Sequence, residues 1–298
     1  MAAGETVTAR EVRESAAVEA GLDALDSAPA GPARTPVGRL LRQRLLPPLV
    51  AVVLVLLAWQ AAYEAELKPD YLLPSPADVG RALSDQWYEG TLFSTVWTSM
   101  ERGALGFVAA VLIGTALGLL LSAVRPLRVA VGPVLSGLQS LPSVAWVPAA
   151  VVWFGLTDAT IYAVILLGAV PSVANGLLAG VDQVPPLYLR AGRVLGATGF
   201  ARVRYVLLPA ALPGYLAGLK QGWAFAWRSL MAAELIASSP ELGLGLGQLL
   251  ENARSYQDMA LVLATIGEIL VVGIAVDLLL FAPLERRMLR SRGLAGAR

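Results

Sequence analysis

Pro185-Pro-Leu-Tyr-Leu-Arg-Ala-Gly-Arg-Val-Leu-Gly-Ala-Thr-Gly-Phe-Ala-Arg-Val-Arg-Tyr-Val-Leu-Leu-Pro209 is a basic, helix-forming island between two strongly apolar stretches. The paired prolines suit a helix start, where a missing N–H costs little. Gly196 offers the stop, because glycine accepts the left-handed conformation without steric penalty. Between them Leu187, Ala191, Val194 and Leu195 fall at i, i+4, i+7 and i+8 and make one apolar face. Arg190 and Arg193 lie three apart on another face. The stretch reads either as a solvated surface loop or as a short helix that docks a partner, and its surroundings decide between them.

Those surroundings are membrane-like. Of 298 residues, 56% are apolar and only 15% charged, with a mean hydropathy of +0.64, which is too oily for an ordinary soluble domain. The chain has no cysteine and no histidine, so disulfides, thiol catalysis and histidine-based metal or acid–base sites are excluded. No catalytic residue, metal site or cofactor is expected. Lysine occurs only at Lys68 and Lys220, and neither follows a glycine. A Walker A phosphate loop cannot exist here, so any nucleotide hydrolysis belongs to another chain.

Residues 1–33 carry six acids, from Glu5 to Asp26, against two arginines, and they are rich in alanine, glycine and proline. The composition predicts a disordered or weakly helical tail, 1–44, rather than a signal peptide. Arg34, Arg39, Arg42 and Arg44 precede a first span at about 46–63 and mark the cytoplasmic side. Segment 64–96, with six acids against Lys68 and Arg81, is expected outside, and its 72–78 run predicts a turn into an amphipathic helix with Pro76 near its start. Further spans are read at about 103–122, 129–154 (interrupted by Pro142), 160–181 (containing Pro171), 212–237 and 259–284. The opening stretch falls between the fourth and fifth spans, inside. Segment 238–257, with Gly-Leu-Gly-Leu-Gly at 243–247, reads as a re-entrant or surface piece, and a basic tail, 286–298, closes the chain inside. The expected fold is an all-α membrane protein of six transmembrane helices, 45–285, with both termini cytoplasmic.

Arg228, Glu234, Glu268 and Asp277 fall within the last two spans, where charge is costly and must face the bundle interior, a partner or water. Arg228 and Glu234, six apart, are not stacked as a pair on one helix face. Together with Ser229 they are either lining of a translocation path or interhelical hydrogen-bonding groups. Asp277 reads as structural, and Glu268 has no assignment. Gly103, Gly106, Gly114 and Gly118 recur at helical intervals and suit close helix packing. An ion-coupled secondary transporter using Glu234 or Glu268 is the nearest rival reading; an intramembrane hydrolase lacks a nucleophile–base set.

Arg190-Ala191-Gly192, three residues, Gly196, nine residues and Val206-Leu207-Leu208-Pro209 resemble the "EAA" signature of bacterial ABC importer permeases, Glu-Ala-Ala, three residues, Gly, nine residues, Ile-x-Leu-Pro. Ala191, Gly196, Leu208 and Pro209 agree with it, Gly192 and Val206 are mild replacements, and Arg190 reverses a charge. The resemblance runs over about 45–293 and includes 73–79 (Leu-Pro-Ser-Pro-Ala-Asp-Val), 141–148 (Leu-Pro-Ser-Val-Ala-Trp-Val-Pro), Trp153-Phe154-Gly155, the 208–213 run and Ala233-Glu234. Taken together these are similar to the permease branch serving sulfonates, taurine and nitrate, and most to the aliphatic-sulfonate permeases. The resemblance implies a type I ABC importer permease bundle whose 185–209 loop carries a coupling helix between spans four and five. It also implies an assembly in the inner membrane: two ATP-binding cassette subunits, a second permease subunit forming a homodimer and an extracytoplasmic solute-binding protein, surrounded by lipid and with no nucleic acid. The substrate it implies is a small anionic organic solute, an aliphatic sulfonate first, with taurine, nitrate or a vitamin precursor as alternatives.

Overall fold

The computed structural model describes residues 46–237, 239 and 242–292; the expected N-terminal tail with its arginine cluster, Glu241 and Arg298 lie outside them. Contacts divide the chain after Ala58. In the first unit the described residues are the exposed, apolar beginning of helix α1, Leu46–Glu64. The second unit, from Trp59 onward, carries the remaining elements.

Within that unit the 72–78 run does what its composition predicts. Ser75 caps α2, Pro76–Glu89: its hydroxyl accepts from the Asp78 N–H at 3.2 Å, and the Asp78 carboxylate accepts from the Ser75 N–H at 3.0 Å. After Gly90, α3 runs from Thr91 to Ala123, beginning twelve residues before the span expected at Gly103. Next come α4, Arg125–Ser140, a 3-10 turn at Ser143–Trp146, and α5, Val147–Phe154. The two halves of the expected third span meet at 102°. Pro142 is the cause: it pushes Leu141 out of the helical region, to φ −80° and ψ 132°, and removes an N–H from the ladder.

Helix α6, Asp158–Asp182, passes through Pro171 without a break. Helix α7, Pro186–Val194, opens the 185–209 stretch, and a helical turn at Gly199–Arg202 leads through a wide turn at Val203–Leu207 into α8, Leu208–Ile236. Helix α9, Leu246–Ser255, follows the glycine run. Helix α10, Met259–Val276, continues through a wide turn at Asp277–Phe281 into α11, Ala282–Ser291, so the basic segment expected as a tail is helical at its start.

The described residues form an all-helical molecule, and four helices are long and apolar enough to cross a membrane: α1, α3, α6 and the continuous 259–291 run. The bent α4–α5 pair makes a fifth if it is one span. The remaining expected crossing, the fifth in chain order, is α8, 29 residues long but diluted by Lys220, Arg228 and Glu234. Its small and aromatic positions are buried against its neighbours, so one face of this helix packs with α6 in the core of the bundle.

Close packing at small residues holds that core. Lipid tails are as apolar as side chains, so helices associate in a membrane through contact rather than through hydrophobic transfer. Along α3 and α6 the contacts keep a constant offset, with Gly106 against Ile165, Gly114 against Val173 and Gly118 against Leu177, so these two helices run parallel. Helix α8 runs antiparallel to α6, with Gly214 against Gly180 and Gly218 against Gly176. A Cβ on Gly218 would lie 2.5 Å from the Gly176 Cα, a separation no side chain accepts. An ion pair lies at each end of α6: Arg102 of α3 with Asp158 at its start, and Arg128 of α4 with Asp182 at its end.

Candidate functional site

The 185–209 stretch leaves the Arg128 end of the core and is built as predicted, with one refinement. Gly196 sits at φ +82° and closes α7 with paired bonds: its N–H donates to the Arg193 carbonyl at 3.0 Å, and the Ala197 N–H to the Gly192 carbonyl at 2.8 Å. The expected apolar face of Leu187, Ala191, Val194 and Leu195 points away from the protein. Val194 is 87% exposed, Leu195 85% and Phe200 80%. The inward face consists instead of Leu189 and Gly192, seated on the cluster of Val184, Leu207 and Ala211 with Val203 beside it. Gly192 lies directly on Val206, whose Cγ2 would be 2.8 Å from an added Cβ. Arg190 is exposed, and no acid pairs with it among the described residues.

The far end of the segment is tied down separately. Pro213 has no N–H, so the carbonyl of Pro209, four residues earlier, loses its helical donor. The guanidinium of Arg292, just beyond α11, donates to that carbonyl. A rigid basic segment thus presents bare apolar side chains while both its edges are anchored.

At the opposite end of the core lies a buried polar cluster. Glu234 on α8 is fully enclosed and accepts from the Ser99 hydroxyl at 2.7 Å, the Gly247 N–H at 3.0 Å and Arg102 Nη1 at 3.2 Å. Arg102 also donates through Nε to Asp158 at 3.0 Å and through Nη2 to the Leu242 carbonyl. Ser99 in turn accepts from the Leu246 N–H at 2.8 Å. The glycine run is explained by this carboxylate. Gly243 takes φ +69°, and added Cβ atoms on Gly245 and Gly247 would fall 2.5 Å from Glu234. The 243–247 segment is therefore a strap over a buried ion pair, continuous with the buried first turn of α9. Of the two readings of Glu234, this geometry supports the interhelical one.

The other intramembrane groups separate in the same way. Ser229 is buried with its side chain against Gly168, and its hydroxyl has no partner among the described residues. Asp277 pairs with Lys220 at 2.8 Å, and Glu268 accepts from the Gln86 amide at 2.8 Å, fastening α2 to α10. Arg228 differs from all of these. It is exposed, its Nε donates to the Ala224 carbonyl at 2.9 Å, and its guanidinium carbon lies 4.6 Å from the centre of the Phe225 ring. It lines a cavity of about 340 Å³ at the α4–α5 break, together with Gln139, Ser140 and Ser143. Neither Gln139 nor Arg102 was singled out by sequence reading. Arg102 heads an apolar run, and its partners lie 56, 132 and 140 residues away.

The residues 104–290 match the model of a family described as "Binding-protein-dependent transport system inner membrane component". The chain is 32% identical over 240 residues to the taurine transport system permease protein of Escherichia coli, covering 79% of this chain and 86% of that one. It is 29% identical over 244 residues to the Bacillus subtilis protein named for aliphatic-sulfonates transport permease, covering 82% and 87%. Against the nitrate import permease protein of Synechocystis it is 26% identical over 253 residues, covering 82% and 90%.

Proposed function

Because the chain belongs to the family of binding-protein-dependent transport inner membrane components, a transport subunit rather than an enzyme, we propose that 185–209 is the coupling element of an ATP-driven importer. The observation that carries this is the outward apolar face of Val194, Leu195 and Phe200 on an anchored helix in a chain that has no phosphate loop of its own. An ATP-binding subunit would cover that face, with Arg190, Ala191, Gly192 and Gly196 in and around α7 and with Val206, Leu208 and Pro209 fixing its approach. The assembly pairs two such subunits with two copies of this chain, a homodimer, and receives solute from an extracytoplasmic binding protein. Both termini and the 185–209 segment then lie on the cytoplasmic side of a bacterial inner membrane. Closure of the ATPase pair draws the two coupling helices together and favours the outward-facing bundle. Docking matters only to the extent that it differs between the two states.

The substrate class follows the relatives' names and the chemistry they share. Sulfonate, taurine and nitrate all present a small oxyanion, and an aliphatic sulfonate is the proposed substrate. Arg228 supports a path for such an anion, whereas the enclosure of Glu234 and Ser229 favours a structural role for them. The test is co-purification of the full chain with its ATP-binding subunit, combined with vesicle uptake. Phe200→Glu with Leu195→Glu is expected to abolish co-purification while membrane insertion persists. Retained co-purification and uptake in that variant would remove the assignment, and uptake in vesicles lacking any ATP-binding subunit would favour the ion-coupled rival.

A further inference from the structure

Resting on the import reading, we propose that Arg228, Gln139 and Ser143 form a binding site for a small oxyanion at the break between α4 and α5, inside the membrane-spanning core. Among the described residues, the cations within the helical core are paired: Arg102 with Asp158 and Glu234, Lys220 with Asp277. Arg228 has no carboxylate within ion-pair distance, although a cation at that depth is costly unless compensated. Its Nε is already committed to Ala224 and one face of its plane to Phe225, so the two terminal nitrogens remain as a fixed fork. A planar guanidinium fork matches two oxygens of a sulfonate, nitrate or carboxylate better than it matches a point charge.

On the opposite wall, Gln139 is locked by α6: its amide N–H donates to Ser172 Oγ at 2.8 Å, and its carbonyl accepts from the Asn175 amide at 2.7 Å. One amide hydrogen of Gln139 is left over, held in a set orientation by two bonds. The Ser143 hydroxyl, on the same cavity, makes no hydrogen bond among the described residues. A cation, an amide N–H and a hydroxyl thus share one cavity of about 340 Å³ with no anion among its lining residues. The volume of about 340 Å³ leaves room for a small organic sulfonate. The broken helix supplies the opening, because Pro142 turns the chain away where a continuous helix would have filled the space. Ser172 and Asn175 are positioning residues for this site, since they act only through Gln139.

The same oxyanion chemistry could come from a lipid phosphate, and the experiment separates the two sources. The chain has no cysteine, so Ser143→Cys carries the single thiol. The full chain in phosphatidylcholine nanodiscs is treated with an anionic methanethiosulfonate (sulfonatoethyl) and with a cationic one (trimethylammonioethyl). The anionic reagent is expected to react about tenfold faster relative to a free-thiol standard, the factor for one charge-assisted contact. Methanesulfonate should slow that reaction, and Arg228→Gln should remove both the preference and the protection. Ser172→Ala should weaken protection by methanesulfonate without removing the preference, because the charge remains. Equal rates for the two reagents, or protection that survives Arg228→Gln, would overturn the site. Preference and protection that are present in phosphate-free maltoside micelles but absent in phosphatidylcholine nanodiscs would assign the site to lipid phosphate and overturn the solute proposal. None of these readouts depends on an ATP-binding subunit, so the site can fail while co-purification of that subunit upholds the import reading.

Discussion

Glu234 and Arg228 stand six positions apart on one helix and have opposite fates, which only their neighbours explain. Glu234 meets Arg102, Ser99 and the Gly247 N–H; Arg228 meets a cavity. Sequence reading could say that each needed compensation, but not from where, since the partners of Glu234 come from elements as distant as residue 99. Removing one member of a buried ion pair leaves the other uncompensated, at a cost of about 3–5 kcal/mol. Arg102→Leu is therefore expected to lower the thermal unfolding midpoint in detergent sharply. The double variant Arg102→Leu with Glu234→Leu should recover most of that loss, and a double variant no better than the single one would show that the cluster does not act as a pair. Gly196 was legible at once, because its conformation is a local matter. An added Cβ there meets nothing within 4 Å, so the obstacle is backbone strain rather than collision, about 1–2 kcal/mol for a left-handed residue. Gly196→Asn should retain uptake, Gly196→Pro should lose it, and equal uptake by both would contradict the turn's role.

At the level of elements, helix existence could be read from apolar runs, whereas helix ends and breaks followed chemistry that the runs conceal. The third expected span became two helices because Pro142 interrupts it, and the 243–247 piece became a strap because its glycines fit over Glu234. The glycine pattern of α3 was read correctly as packing, but its partner residues on α6 were out of reach of any local rule. Gly218→Ala places a Cβ against the Gly176 backbone and should lower the unfolding midpoint, as overpacking typically costs about 1–3 kcal/mol. Gly137→Ala on α4, where an added Cβ meets nothing within 4 Å, should raise it by up to about 1 kcal/mol equivalent through helix propensity. The cap of α2 gives a pH test. Hydrogen bonds from Ser75, with the nearby Arg81 guanidinium, hold the Asp78 carboxyl below its ordinary 3.8. A lowered folded-state value means the cap's contribution is intact above the ordinary value and is lost as pH falls through the lowered one. The protection factor of the Ser75 amide, its exchange corrected for the intrinsic rate at each pH, should be constant between about pH 5 and 8 and should fall only in acid, below the ordinary carboxylate range.

For the whole molecule, composition alone excluded thiol- and histidine-based chemistry and a phosphate loop, and the family match agrees with a transport role. The number of crossings is less sharply written in composition than in packing, because α8, which packs along α6 and gives Trp223, Trp227 and Leu230 to the core, also carries Lys220, Arg228 and Glu234. A helix surrounded by other helices need not be oily, so hydropathy under-reads the centre of a bundle. The contact between Arg292 and Pro209 bears on a different matter, the order in which the protein matures. The two residues are 83 positions apart, and the last long helix lies between them. The 185–209 segment can fold locally as soon as it leaves the membrane, but its far edge is clasped only after that last helix has been inserted. On the proposed coupling role, recruitment of an ATP-binding subunit would favour chains whose last helix is already in place, because one carbonyl that a proline left free waits for Arg292.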